Sequence, residues 1–192
     1  MMTSASITDL HSTWLHKGRF INALAIVSIY NLFMRKILLL AVLLPATASA
    51  QIVSGTAQVV DGDSLKLGDE RIRLHGIDAP EASQTCKRND AVWHCGRDAT
   101  LLLNRFVNGQ QVSCTQQDED NYGRVVATCR VERLDLGEAL VRAGLAIALP
   151  QYSSAYVDAE ATAKSFKIGL WSSEFQSPAS YRSARVQTQS AS

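Results

Sequence analysis

Between Ile52 and Ile77 the chain does the same thing three times over: a short β-like run, then a tight polar turn. Residues 52–60 are turned by Asp61-Gly62-Asp63, and residues 64–67 by Gly68-Asp69-Glu70; residues 71–77 run on until Pro80 ends them. Alternation in the third run puts Arg71, Arg73 and His75 on one face, with Ile72 and Leu74 on the other. Helical spacing follows from about Arg97 to Val107 (Ala99, Leu102, Leu103, Phe106), stopped by Asn108-Gly109. Two strand-like runs at 110–115 and 124–132 flank a polar turn, and helical patterns cover 135–146 and 154–168. Three short strands, a helix, a hairpin and two helices define an α+β domain. Strands so short leave long unpaired edges, and a small Greek-key barrel with three packed helices removes them by closure. After Ser172 the chain turns to Ser, Gln, Ala and Arg without period, which predicts a flexible tail over 173–192.

The N-terminal part is expected to be removed. Arg35-Lys36, the apolar run Ile37–Leu44 and the ending Ala48-Ser49-Ala50 have the layout of a signal peptide cleaved after Ala50. Met34 then becomes a candidate start, with residues 1–33 as an extension. The rival, a membrane anchor, is short of apolar length, because Asn22 and Asn31 interrupt Phe20–Phe33 and the basic pair separates it from the next run. The reading is a periplasmic or secreted protein with no stable membrane insertion after cleavage and a domain over 51–172. All four cysteines lie beyond Ala50, which suits an oxidising compartment. Pairing Cys86 with Cys95 and Cys114 with Cys129 brackets one compact loop each. Closing a loop of about 15 residues stabilises by roughly 3 kcal/mol. A zinc site at Cys86, His94 and Cys95 is the competing reading, but it lacks the close cysteine spacing of such sites. The whole chain has 19 Lys+Arg against 18 Asp+Glu. Dropping Lys17, Arg19, Arg35, Lys36 and Asp9 leaves 15 against 17, a net charge of about −2. So mild a charge excludes a protein that coats nucleic acid through its global field.

Three short pieces carry the chemistry: Asp61-Gly62-Asp63, then Arg73 to Glu81, then Asp120-Asn121-Tyr122-Gly123-Arg124. Asp63 and Asp78 are hard-cation ligands at neighbouring strand ends. Glu81, fixed after Pro80, is a candidate base for an attacking water. Arg73 and Arg124 offer planar forks that match phosphate oxygens. Each has a plainer role: hairpin-turn aspartates, a solvated glutamate, and arginines paired to Asp69 or Glu70 and to Asp118, Glu119 or Asp120. Together they are the parts needed to cut a phosphodiester.

The ordered string DGDS, RIRLHGIDAPE, DNYGR, GEALVRAGLA and GLW, spread over residues 54–172, resembles the staphylococcal nuclease (thermonuclease) family. The resemblance implies a five-stranded OB-fold barrel with three helices. It also implies a Ca²⁺-dependent, sugar-nonspecific endonuclease whose products end in 3′-phosphate. On it, Asp63, Asp78 and the carbonyl of Ala79 hold calcium, and Arg73, Glu81 and Arg124 are catalytic. Tyr122 lies beside the substrate phosphate, and Asp61 stands behind the ligands. Ala79 replaces a threonine of the type member, and Pro150 stands where a stacking aromatic is expected, with Tyr152 as a nearby substitute. The expected partner is single-stranded or locally melted DNA and RNA, met by a monomer. The alternative is an OB-fold module that binds nucleic acid without cutting it.

Overall fold

The computed structural model describes residues 51–190; the signal-peptide and extension readings fall outside them. The chain runs β1 (Ile52–Asp61), β2 (Ser64–Leu67), β3 (Glu70–Leu74) and β4 (Ile77–Asp78), then β5 (Cys86–Arg88) and β6 (Ala91–Trp93). Helix α1 (Cys95–Val107) precedes β7 (Gln111–Glu119), β8 (Val125–Val131) and β9 (Leu134–Asp135). After these come α2 (Leu136–Arg142), β10 (Ile147–Ala148), α3 (Val157–Ser165), a 3₁₀ turn (Gly169–Ser172) and α4 (Pro178–Ser190).

The first three strands form an antiparallel meander, and β1 also pairs β7, which forms a hairpin with β8. Closure comes from a parallel pairing of β3 with β8, Arg73 facing Val126. The five-stranded OB-type barrel is thus as expected from the sequence. Its interior is filled by Leu65, Ile72, Leu74 and Val112, with Ala99, Leu103 and Val107 from one stripe of α1. That i, i+4, i+8 spacing turns α1 onto the barrel. Each fully buried Leu or Ile adds about 1.5–3 kcal/mol, so Leu103→Ala would cost about 2–5 kcal/mol.

Both expected disulfides are present, Cys86–Cys95 and Cys114–Cys129, and no cysteine among the described residues is free for zinc. Cys114 and Cys129 face each other across the β7–β8 ladder.

Three stretches differ from the sequence reading. The run 71–77 breaks at a His75-Gly76 turn, so β3 ends at Leu74 and β4 begins at Ile77. The polar loop 82–95 contains the β5–β6 hairpin, because Asn89 and Asp90 take up φ of 50° and 60° in a two-residue turn that such side chains tolerate. Arg88 lies 3.7 Å over the Trp93 ring and fastens that hairpin. The aperiodic tail contains a fourth helix, α4. Ser177 Oγ accepts from the Ser180 amide, and Pro178 occupies the first helical position. No helix among the described residues is long and apolar enough to cross a membrane.

Candidate active site

The turn between β1 and β2 and the end of β4 meet because Gly62 carries no side chain. A Cβ there would lie 2.8 Å from the Cβ atoms of both Ala79 and Ala99. This close approach sets Asp63 against residues 78–79. The Ala79 amide donates to Asp63 Oδ2 at 3.1 Å, and Ser64 Oγ donates to Oδ1 at 2.9 Å. Asp61 Oδ1 accepts from the Asp63 amide at 3.2 Å, so the expected supporting carboxylate is adjacent.

Register then delivers Arg73, which faces Ser64 across β2–β3. Its Nη2 lies 3.1 Å from Asp63 Oδ2 and 2.7 Å from Asp78 Oδ1. One guanidinium therefore ties the two aspartates together, and the turn at His75-Gly76, with Gly76 at φ 75°, brings Asp78 to Arg73 despite their opposite parity. Asp63 and Asp78 are only 3% and 2% exposed. Burial pushes the Asp63 carboxyl up to about 7; Arg73 and the Ala79 amide pull it down, and the charges of Asp61 and Asp78 add to the rise.

Glu81 sits on a turn closed by its own carbonyl, which accepts from the Gln84 amide at 2.7 Å. Gln84 is a buried residue that sequence reasoning passed over; it is 1% exposed. Its Oε1 accepts from the Glu81 amide and its Nε2 donates to the Gln176 carbonyl. Gly96, at the start of α1, packs directly on this turn: a Cβ there would fall 1.7 Å from the Glu81 carbonyl oxygen. Glu81 Oε1 accepts from Arg182 Nη1 of α4 at 2.9 Å. Arg182 was the other omission. A serine followed by proline is the helix-start signal that could have located α4, but nothing in the sequence points its arginine at Glu81.

Arg124 stands apart from this cluster. Its Nε donates to Asp120 Oδ2 at 2.7 Å, and among the described residues it forms no ion pair with Asp63, Asp78 or Glu81. The plain hairpin-closing role is the one seen. Arg124 immediately precedes β8, whose parallel ladder with β3 begins at Val125 opposite Ile72. Tyr122 is 81% exposed, with the Arg124 guanidinium 5.7 Å from its ring. Tyr152 is also exposed, in the turn after β10, which pairs β4 with Ile147 opposite Asp78.

The donor type suits a hard divalent cation: the carboxylates of Asp63 and Asp78 are both buried and both reached by Arg73. No group of three or more His, Cys, Asp or Glu able to hold a metal occurs among the described residues.

Residues 71–173 match the family described as staphylococcal nuclease homologue. A succinoglycan biosynthesis protein of Rhizobium meliloti, ExoI, is 32% identical over 142 residues, covering 72% of this chain and 74% of that protein. An uncharacterized endonuclease of Escherichia coli is 32% identical over 130 residues, 64% of this chain and 79% of its own. A probable endonuclease, lcl3, of Botryotinia fuckeliana is 28% identical over 143 residues, 67% of this chain and 53% of its own, so the chain spans about half of that longer relative.

Proposed function

The chain belongs to the staphylococcal nuclease homologue family, and from that premise we propose an exported, Ca²⁺-dependent endonuclease that hydrolyses DNA and RNA to 3′-phosphate products. The observation that supports this best is the continuous polar chain Asp63–Arg73–Asp78–Arg182–Glu81. Carboxylates and planar guanidiniums side by side are the groups that a cation and a phosphate would each need.

Asp63, Asp78 and the Ala79 carbonyl would hold calcium, which when bound neutralises phosphate charge. Asp61 keeps Asp63 oriented through its bond to the Asp63 amide. Glu81, on its rigid turn, accepts a proton from water as that water adds to phosphorus. The P–O5′ bond breaks, and the 5′-oxygen takes a proton from solvent water and leaves as a hydroxyl. Arg73 and Arg124 donate to the equatorial oxygens, where charge builds up. Tyr122 and Tyr152 offer exposed rings to a single strand, in which bases are free to stack. A monomer carries all of these groups.

Incubation with single-stranded DNA in calcium or in chelator tests the reading. Cleavage is expected only with calcium, and Arg73→Ala and Glu81→Ala should each lower it by about 10²–10³-fold. Binding without cleavage would instead establish the non-catalytic module.

A further inference from the structure

Helix α4 places a guanidinium where the proposed machinery needs open oxygens. Arg182 Nη1 donates to Asp78 Oδ1 at 3.0 Å and to Glu81 Oε1 at 2.9 Å, while Nη2 donates to Asp78 Oδ2 at 3.2 Å. Resting on the cation reading above, we propose that α4 is an autoinhibitory latch. In it, Arg182 competes with a divalent cation for Asp78 and blocks Glu81 until the cation displaces it.

Oxygen occupancy is the first argument. Asp78 Oδ1 also accepts from Arg73 at 2.7 Å, so both oxygens of this carboxylate face guanidinium groups. Glu81 is held by the same fork, so base and ligand are engaged together. Charge is the second. The carboxyl groups of Asp63, Asp78 and Glu81 outnumber the single guanidinium of Arg73 by two, and Arg182 offsets one of them. A divalent cation offsets the same surplus, and the two together would crowd like charges around one carboxylate.

Attachment is the third argument. The large aliphatic residue of α4, Val186, is exposed, and the helix lacks a broad apolar stripe to anchor it. Arg182 and Arg185 hold the domain through polar contacts, the second from Nη1 to Ser83 Oγ at 3.2 Å. The Arg182 side chain is 39% exposed, so water and salt reach its side of the pairs with Asp78 and Glu81. The segment before the helix is fastened differently. Gln176 accepts from buried Gln84, and Glu174 exchanges backbone bonds with Lys87 at 2.8 Å in both directions. With Arg182 and Arg185 released, the helix beyond buried Pro178 would be free to leave while the Glu81 turn stays in place. A nuclease latched in this way is silent until cation is abundant, which spares nucleic acid in the cell that makes it.

The test uses calcium alone as ligand, titrated calorimetrically into the protein, Arg182→Ala and Arg142→Ala. Arg142 lies on α2, pairs with Glu138, and controls for loss of a positive charge. Arg182→Ala should bind calcium about tenfold more tightly, the effect of freeing a site that is open about a tenth of the time. Arg142→Ala should bind as the parent does. In the parent protein, calcium should also speed tryptic cutting after Arg182 and Arg185, located by mass. Failure of either result overturns the latch. Equal calcium affinity in all three overturns the latch alone, and no calcium binding in any of them overturns the cation reading with it.

Discussion

The Glu81 turn and the β7–β8 hairpin tip carry opposite halves of the proposed chemistry, and the fold holds them by different means. Around Glu81 the backbone is wedged: Gly96 touches its carbonyl, buried Gln84 ties it to Gln176, and Cys86–Cys95 closes the loop behind it. At the hairpin tip one side chain does the work. Asp120 accepts from the amides of Tyr122 and Arg124 and from the Arg124 guanidinium, at 3.0, 3.0 and 2.7 Å. The acid side is thus preorganised, as a base that must meet water at a fixed distance requires. The arginine side is parked on a carboxylate, which in the proposed chemistry a phosphate would replace.

Gly96→Ala should produce the largest contrast. Its Cβ must displace backbone, at a cost of about 3 kcal/mol. Cleavage should fall about a hundredfold as Glu81 moves, while nucleic-acid binding at the hairpin tip persists. Thermal unfolding and parallel binding and cleavage assays check this; cleavage at the parental rate would show that the wedge does not position Glu81.

The two disulfides sharpen the comparison next. In the loop-closure account, removing Cys86–Cys95 costs about 2.5 kcal/mol and removing Cys114–Cys129 about 3 kcal/mol. The losses in denaturant unfolding should be similar, yet only the first double-alanine variant should also lose activity at temperatures where both are folded. Equal losses of activity would mean that the Glu81 turn does not depend on its local staple.

The smallest effect belongs to Asp120. Burial would raise its carboxyl, but the Arg124 amide and guanidinium and the Tyr122 amide outweigh that and hold it below the usual carboxylate range. A depressed folded-state value gives stabilisation that is present above the ordinary carboxylate value and lost as pH falls through the lowered one. Hydrogen-exchange protection of the Tyr122 and Arg124 amides should therefore hold at neutral pH and fade only in strong acid. Asp120→Asn should lower protection at neutral pH and remove its acid dependence, at a cost of at most about 1 kcal/mol. It should weaken the hairpin without abolishing cleavage.

Much of the frame could be read from residue order, because period-two runs, Asp-Gly turns and helical spacing are local signals. Both disulfides followed from even cysteines bracketing compact loops. What escaped was decided by contacts distant in sequence. Arg182 lies 101 positions from Glu81, and no pattern in a Ser- and Gln-rich tail encodes that meeting. Gln84 looks like a solvated loop residue until Gln176 and Gly96 close over it. Arg124 shows the reverse: its motif was conspicuous, but the neighbouring acid that holds it could only be narrowed to Asp118, Glu119 or Asp120. The β5–β6 hairpin was missed because Asn-Asp is a weaker turn signal than Asn-Gly.

The most direct test is single-turnover cleavage of an end-labelled single-stranded DNA in calcium, comparing the parent with Glu81→Gln and identifying the new termini. The account predicts 3′-phosphate and 5′-hydroxyl ends from the parent, and a cleavage rate at least a hundredfold lower in Glu81→Gln with DNA binding retained. Parental rates in Glu81→Gln, or 5′-phosphate termini from either protein, would contradict it.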